Sequence, residues 1–355
     1  MRKSPKLFLA LAIIPQILFI KWISVYPETV ETYYSLGFYP IVSKIFRFTL
    51  GWLPFSFGDL FYAIAIIYIL RWLILNAKRI TQDTKGWFLD VFSAFSVIYF
   101  AFHLLWGMNY YRLPLHQKLN LEADYSTEQL MAVTEKLIEK SNALQLQLAK
   151  KDSVKVQVPF KEMEVFKMVP EGYHRLREEF PDLDYKPKSI KKSLFSLPLT
   201  YMGFSGYLNP LTNEAHVDGY IPIYRFPVVS SHEVAHQLGY AAENEANFIG
   251  SLAAINHPNV YFNYCGYTFA LKHCLLEVYR RDPEAYETFK EKIHIGILKN
   301  YQEVQNFWME YQNPLEPLFQ SSYNHFLKVN NQQDGMKSYS YVVALVVNYF
   351  ENKAL

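Results

Sequence analysis

Residues Ser231-His232-Glu233-Val234-Ala235-His236-Gln237-Leu238-Gly239, followed by Tyr240-Ala241-Ala242-Glu243-Asn244-Glu245-Ala246-Asn247, decide how this chain is read. They contain an H-E-x-x-H core, a glycine three residues later and a nearby acidic pair. On a helix, positions i and i+4 sit one above the other on the same face. His232 and His236 can therefore aim two imidazoles at one metal ion, with Glu233 beside them. Metal-assisted hydrolysis needs that arrangement: neutral nitrogen ligands, a carboxylate to take a proton from water, and an open coordination position.

With 10 histidines in 355 residues, chance alone would place H-E-x-x-H in roughly 1–2% of such chains. The surroundings add weight. Gly239 is a natural left-handed helix stop, after which the chain can turn back toward the metal. Glu243 and Asn247 are again i and i+4, which makes Glu243 the expected third ligand and Asn247 the residue holding its carboxylate. Glu245 competes, but it falls about 200° around the helix from Glu243. The alternative is that Glu243 and Glu245 are first-turn acids favoured by the helix dipole, and that the histidines are hydrogen-bonded residues of an amphipathic helix.

The segment resembles the zincin superfamily of metallopeptidases, above all its gluzincin branch, whose third ligand is a glutamate in an E-x-x-x-D or E-x-x-A-D/N pattern. Glu243-Asn244-Glu245-Ala246-Asn247 matches E-x-x-A-N. Gluzincins usually place that glutamate much further downstream. The short turn after His236 is closer to metzincins, whose third histidine would fall at Ala242, a residue that cannot ligate. The resemblance implies Zn2+ held by His232, His236 and Glu243, with Glu233 as general base. The whole chain also resembles a family of multi-pass bacterial membrane proteins known only as a domain of unknown function, through Trp106-Gly107-Met108-Asn109-Tyr110-Tyr111-Arg112, Gly206-Tyr207-Leu208-Asn209-Pro210 and the Ser338-Tyr339 region. That likeness implies a fold and a site, not a substrate.

Composition sets the frame. The net charge of +2 leaves no footprint for nucleic acid. Mean hydropathy is −0.04, yet apolar residues crowd the first third. Residues 7–25, 58–76 and 87–108 each approach the ~20 residues needed to cross a bilayer. No small-residue cleavage site follows the first run, so it reads as an anchor rather than a leader. Arg2, Lys3 and Lys6 precede the first span, and Lys78, Arg79 and Lys85 separate the second from the third. The positive-inside rule then puts these residues in the cytoplasm, the chain in the cytoplasmic membrane of a bacterial envelope and everything after Arg112 outside. Residues 37–56, with Pro40, Lys44 and Arg47, read as an interfacial amphipathic helix on the outer face; the alternative, a fourth span, would put the catalytic domain in the cytoplasm. Cys265 and Cys274 lack metal-site spacing and read as buried free thiols.

Residues 113–355 are expected to form the catalytic domain and 1–112 its membrane anchor. Ser126-Thr127-Glu128-Gln129 resembles a capping box before a helix running to about Ala149. Asp152–Val158 reads as a loop with strand-like alternation. Pro159–Phe180 reads as helical with a break at Pro170-Glu171-Gly172, and Lys186–Lys192 as a solvated basic connector. Leu194–Leu197 and Tyr201–Leu208 are strand-like, and Glu214–Asp218 returns as a strand after a turn, giving a hairpin just before the metal helix. In zincins such a strand commonly borders the cleft, where edge pairing can hold a peptide backbone; the alternative is a purely structural hairpin. Residues 267–280, 283–298, 299–311, 314–328 and 338–352 read as helices.

The fold class is thus mainly α: three N-terminal transmembrane helices, then an α+β zincin-like domain with a small sheet before the H-E-x-x-H helix. The polar residues around His232 exclude a metal site inside a spanning helix. Tyr339, ahead of Tyr323 and His325, is the candidate to stabilise an oxyanion. His216 is a default surface histidine, and His257 an outside candidate for third ligand. The expected activity is hydrolysis of peptide or protein amide bonds. The alternative is a catalytically inactive zinc-binding scaffold or sensor of the envelope.

Overall fold

The apolar first third of the chain forms three helices long and apolar enough to cross a membrane: Pro5–Ile23, Phe57–Asn76 and Thr84–Leu105. They lie within a computed structural model that describes residues 5–332 and 341–355. Most of their surface is exposed, as lipid-facing helices require. Their far ends are tied by Lys6 and Arg79, both paired with Asp90. The third helix stops at Leu105 rather than residue 108, because Trp106 leaves helical geometry and Gly107–Tyr111 forms a 3-10 turn.

Between the first two spans the chain is helical without interruption from Pro27 to Leu50, its middle section Val30–Phe38 wound as a π-helix. The sequence reading placed residues 37–56 at a lipid interface with their polar side in water. That polar side is instead buried against protein. Glu31, Ser35, Tyr39, Ser43 and Arg47 form a stripe at four-residue intervals, all buried, and each binds the rest of the domain. Glu31 pairs with Arg112. Ser35 bonds Asn109, Ser43 bonds Asn213, and Arg47 donates to the Pro187 carbonyl. In a pure α-helix, a four-residue stripe drifts about 40° per step. The looser π segment turns the first half of the stripe back and keeps it on one face. Ile41, Ile45, Phe48 and Trp52 cover the opposite, exposed face. Residues 27–50 and 106–112, assigned by sequence to the anchor, thus pack directly on the domain.

The sheet has three strands, β1 (Ile190–Lys192), β2 (Gly206–Asn209) and β3 (Glu214–Val217), in the order β1-β3-β2. β2 and β3 are the expected antiparallel hairpin, with Gly206 opposite Val217, and β1 runs parallel to β3. Two corrections follow. In the basic run 186–192, Lys186, Lys188 and Lys192 are exposed as expected, but Ile190–Lys192 is a strand and Lys191 is buried, its ammonium donating to the carbonyls of Gly51 and Leu53 past the end of the 27–50 helix. The strand-like Leu194–Leu197 is not a strand either, since Ser196–Met202 is helical and stops at Gly203, a left-handed residue with φ +79°. The sheet holds the second span by its first turn. Glu214 on β3 accepts the N–H groups of Phe57 and Gly58 at 3.2 and 2.5 Å, where a helix dipole favours negative charge.

A helical core covers the other face. Thr127–Ala149 starts with the expected capping box of Ser126 and Gln129. Glu162–Leu176 runs through Pro170 without a break. Gly172 serves packing instead: a Cβ there would lie 2.1 Å from the Ala253 carbonyl oxygen. The strand-like residues near Val156 make no ladder. The Asn300 side chain binds both N–H and C=O of Val156 at 3.0 Å and replaces a strand partner. Helices Val260–Arg281, Pro283–Lys292, Ile295–Glu310, Glu316–Val329 and Val342–Phe350 complete the chain.

Candidate metal centre

Phe226–Gln237 is the H-E-x-x-H helix, with Pro227 in its first turn, and Glu243–Ile255 follows after a turn through Gly239 at φ +89°. The turn works as the glycine predicted, and it brings Glu243 back over the two histidines. The Nε2 atoms of His232 and His236 lie 3.3 and 3.6 Å from Glu243 Oε2. One ligand atom from each of the three residues falls within 4.8 Å of the others. The imidazole rings stand at 89° to each other, their centroids 4.6 Å apart.

Close packing of two backbones makes this possible. A Cβ on Gly250 would come within 2.7 Å of the His232 backbone nitrogen, so only glycine lets the second helix lie against the first at that point. Gly206 on β2 does the same for Glu233, whose Oε1 would be 2.6 Å from a Cβ there. Glu233 therefore sits between the metal ligands and an edge strand.

The hydrogen bonding leaves a gap suited to a cation. His236 Nδ1 bonds the Tyr240 carbonyl at 2.7 Å, which keeps a proton on Nδ1 and turns Nε2 toward Glu243. Among the described residues, Glu243 Oε2, Glu233 Oε2 and His232 Nδ1 are buried without a hydrogen-bond partner, a state that buried polar atoms rarely keep. Two imidazoles and a carboxylate sharing one gap fit a divalent ion. Burial pushes the Glu233 carboxyl up to about 8, with the Glu243 charge adding to it against the pull of His236. Burial also lowers His232. It opposes charge on His236 too, yet the neighbouring Glu243 raises that ring to about 9. Burial would raise Glu243 itself, but His236 and His232 outweigh it and hold it well below the usual carboxylate range.

The other sequence candidates fall into two groups. Tyr323 joins the site, its hydroxyl donating to Glu243 Oε1 at 2.6 Å. Tyr339 lies outside the described residues. Asn247, expected behind Glu243, is placed beside His232. Glu245 accepts the Leu115 N–H at 2.6 Å and faces Arg112, not the metal gap. His325 is exposed. His257 stacks on Phe262 and bonds the Met168 carbonyl. His216 is fully buried and bonds Ser56 at 2.7 Å, so it is neither a surface residue nor a ligand. Cys265 and Cys274 are buried free thiols.

Sequence reasoning missed the residues that hold the end of the metal helix. Its last carbonyls have no partner within the helix. Trp106 Nε1 donates to the His236 carbonyl at 3.0 Å, Tyr39 and Ser43 donate to that of Gln237 at 2.8 and 3.2 Å, and Arg112 donates to that of Gly239 at 2.9 Å. Arg112 is itself fixed by two bonds to Glu31 and by the Tyr240 ring, 4.1 Å from its guanidinium. The Trp106–Arg112 run that carried the whole-chain resemblance was the available signal.

No curated protein and no solved structure matches the chain. A family model does, across residues 34–347, a span that takes in the buried stripe from Ser35 to Arg47, the caps around Trp106 and the three candidate ligands. The chain therefore belongs to the family described as Protein of unknown function (DUF3810).

Proposed function

We propose that this chain is a membrane-anchored zinc hydrolase with a zincin-like site, cutting peptide or protein amide bonds. The observation that carries the reading is the meeting of His232, His236 and Glu243 in one gap beside the otherwise unpartnered Glu233. Two imidazole nitrogens and one carboxylate are the donor set of hydrolytic zinc sites that keep a position open. A purely structural site closes its fourth position and has no use for Glu233.

When bound, zinc supplies Lewis acidity toward water and toward the amide carbonyl. The chain's own groups do the rest. Glu233 takes a proton from the attacking water and hands it to the departing amine. Tyr323 and the Tyr240 carbonyl orient Glu243 and His236, as outer partners of metal ligands do. β2, an edge strand beside Glu233, offers backbone groups to an extended peptide.

The test uses the full-length protein in lipid nanodiscs, loaded with zinc and given a mixed-sequence peptide library, free and lipid-tethered. Expected are cleavage products that vanish with chelator, return with zinc and fall by about 10³-fold in Glu233→Gln. A zinc-loaded wild type that cleaves nothing, or a Glu233→Gln variant as active as wild type, overturns the reading.

A further inference from the structure

The site stands on the ends of two membrane spans. Phe57–Asn76 has 20 residues and is therefore about 30 Å long, so it needs its whole length to cover a hydrocarbon core of about 30 Å. Its first turn then lies at the bilayer surface. Asp59 in that turn accepts the Tyr207 hydroxyl, and Tyr62 stacks on the Tyr207 ring at 6.5 Å. Tyr207 is next to Gly206, which touches Glu233. On the other side, Trp106 is the first residue beyond the third span and touches the ligand His236. A candidate ligand is thus joined to a span end by Trp106, and the base to another through Tyr207 and Gly206.

The front of the site carries exposed apolar residues at the same level. Leu194, 61% exposed, donates its N–H to Asp59, and Leu197 is 45% exposed. Asn313 ties this segment to the next helix by donating to the Tyr201 carbonyl at 2.6 Å. There Leu315 and Leu318 are 59% and 62% exposed. That helix, Glu316–Val329, crosses in front of the site: its Tyr323 reaches Glu243, and its Phe326 meets Phe102 of the third span at 6.1 Å. The helix therefore runs from the Ser196–Met202 helix, which Leu194 joins to the second span, to the end of the third span. Four exposed leucines on a lip tied to two span ends point to lipid as what covers them.

We infer that the substrate is a polypeptide held in the same bilayer, cut close to its membrane-embedded segment, and that the Leu194–Leu197 and Leu315–Leu318 lip rests in the headgroup layer. This inference rests on the hydrolase reading for its chemistry and on the spans for its geometry. A scissile bond reaching Glu233 from the lip passes along β2, and there is little height between β2 and the bilayer surface.

Two measurements test it on the full chain in vesicles of phosphatidylethanolamine and phosphatidylglycerol. Both native thiols are buried, so bimane placed on Leu194→Cys or Leu318→Cys reports only the lip. Shallow doxyl lipid is expected to quench both positions and to spare Val154→Cys, a position among Gln145 and Gly296 away from span contacts. Lip positions no more quenched than Val154→Cys overturn the inference without touching the hydrolase reading. In the second measurement, one library peptide is supplied free, or coupled to a transmembrane helix through a spacer of about 3 or about 30 residues. The short-spacer form is expected to be cut at least about tenfold faster than the others. Equal cleavage of free and tethered peptide, or cleavage through the long spacer alone, overturns the inference while the hydrolase reading stands. Cleavage of no form by zinc-loaded protein overturns both.

Discussion

Trp106 donates its indole N–H to the carbonyl of His236 across 3.0 Å, with the two rings 6.1 Å apart. A residue at the end of a membrane span thereby holds the backbone of a candidate metal ligand. The Trp106→Phe variant keeps an aromatic ring and removes the indole donor, leaving the His236 carbonyl with the Gly239 N–H alone. It is expected to lower metal affinity about tenfold, measured by chelator competition, and to cost about 1 kcal/mol of stability. Unchanged affinity would mean that this contact does not position His236.

Two glycines are expected to fail differently. Gly206→Ala brings a methyl against both Glu233 Oε1 and the His216 backbone carbonyl of the hairpin, whereas Gly250→Ala brings one against the His232 backbone. The first is expected to lose stability and depress kcat while keeping the metal, and the second to lose metal and stability together. Metal content measured beside thermal unfolding separates the two.

Tyr323 is reached across 80 residues of sequence and lies 2.6 Å from Glu243 Oε1. Tyr323→Phe is expected to weaken metal binding by about tenfold while leaving the stoichiometry unchanged at saturating metal. A variant with wild-type affinity and reduced turnover would move Tyr323 from holding a ligand to acting on substrate.

A pH dependence follows from Glu31. Burial opposes its charge, but Arg112 and Lys118 outweigh that cost and hold it below the ordinary glutamate range. A depressed folded-state value stabilises the protein above the unfolded value of about 4.3, and that contribution is lost as pH falls through the folded value. Glu31→Gln is expected to cost about 3 kcal/mol at neutral pH, because it strands a buried Arg112. The gap between the two unfolding curves should narrow as pH drops below about 4. A gap of constant size would remove the carboxylate charge from the explanation.

Legibility followed distance along the chain. His232, Glu233, His236, Gly239 and Glu243 fall within a few helical turns, so period and turn chemistry suffice to bring them together. Trp106 and Tyr39 reach the same helix across 130 and 198 residues, and no local pattern announces such contacts. The stripe from Glu31 to Arg47 was visible as polar residues in an apolar setting, yet amphipathic periodicity does not say whether water or protein faces the polar side. Lys191 was misread for a related reason. A lysine-rich run suggests solvent, whereas here one ammonium is buried on two helix-end carbonyls. Pro170 and Gly172 suggest a break by residue type, but the helix continues through both, and Gly172 serves the close contact with Ala253.

The central claim is that His232, His236 and Glu243 hold one zinc ion beside a base that is not a ligand. The most direct test is metal content of the purified full-length protein, comparing wild type, Glu233→Gln, His236→Ala and Glu243→Ala, each checked for folding. Wild type and Glu233→Gln are expected to carry about one zinc per chain, and the two ligand variants to lose it. A folded wild type that binds no zinc, or variants that keep it when His236 or Glu243 is replaced, would rule out this site.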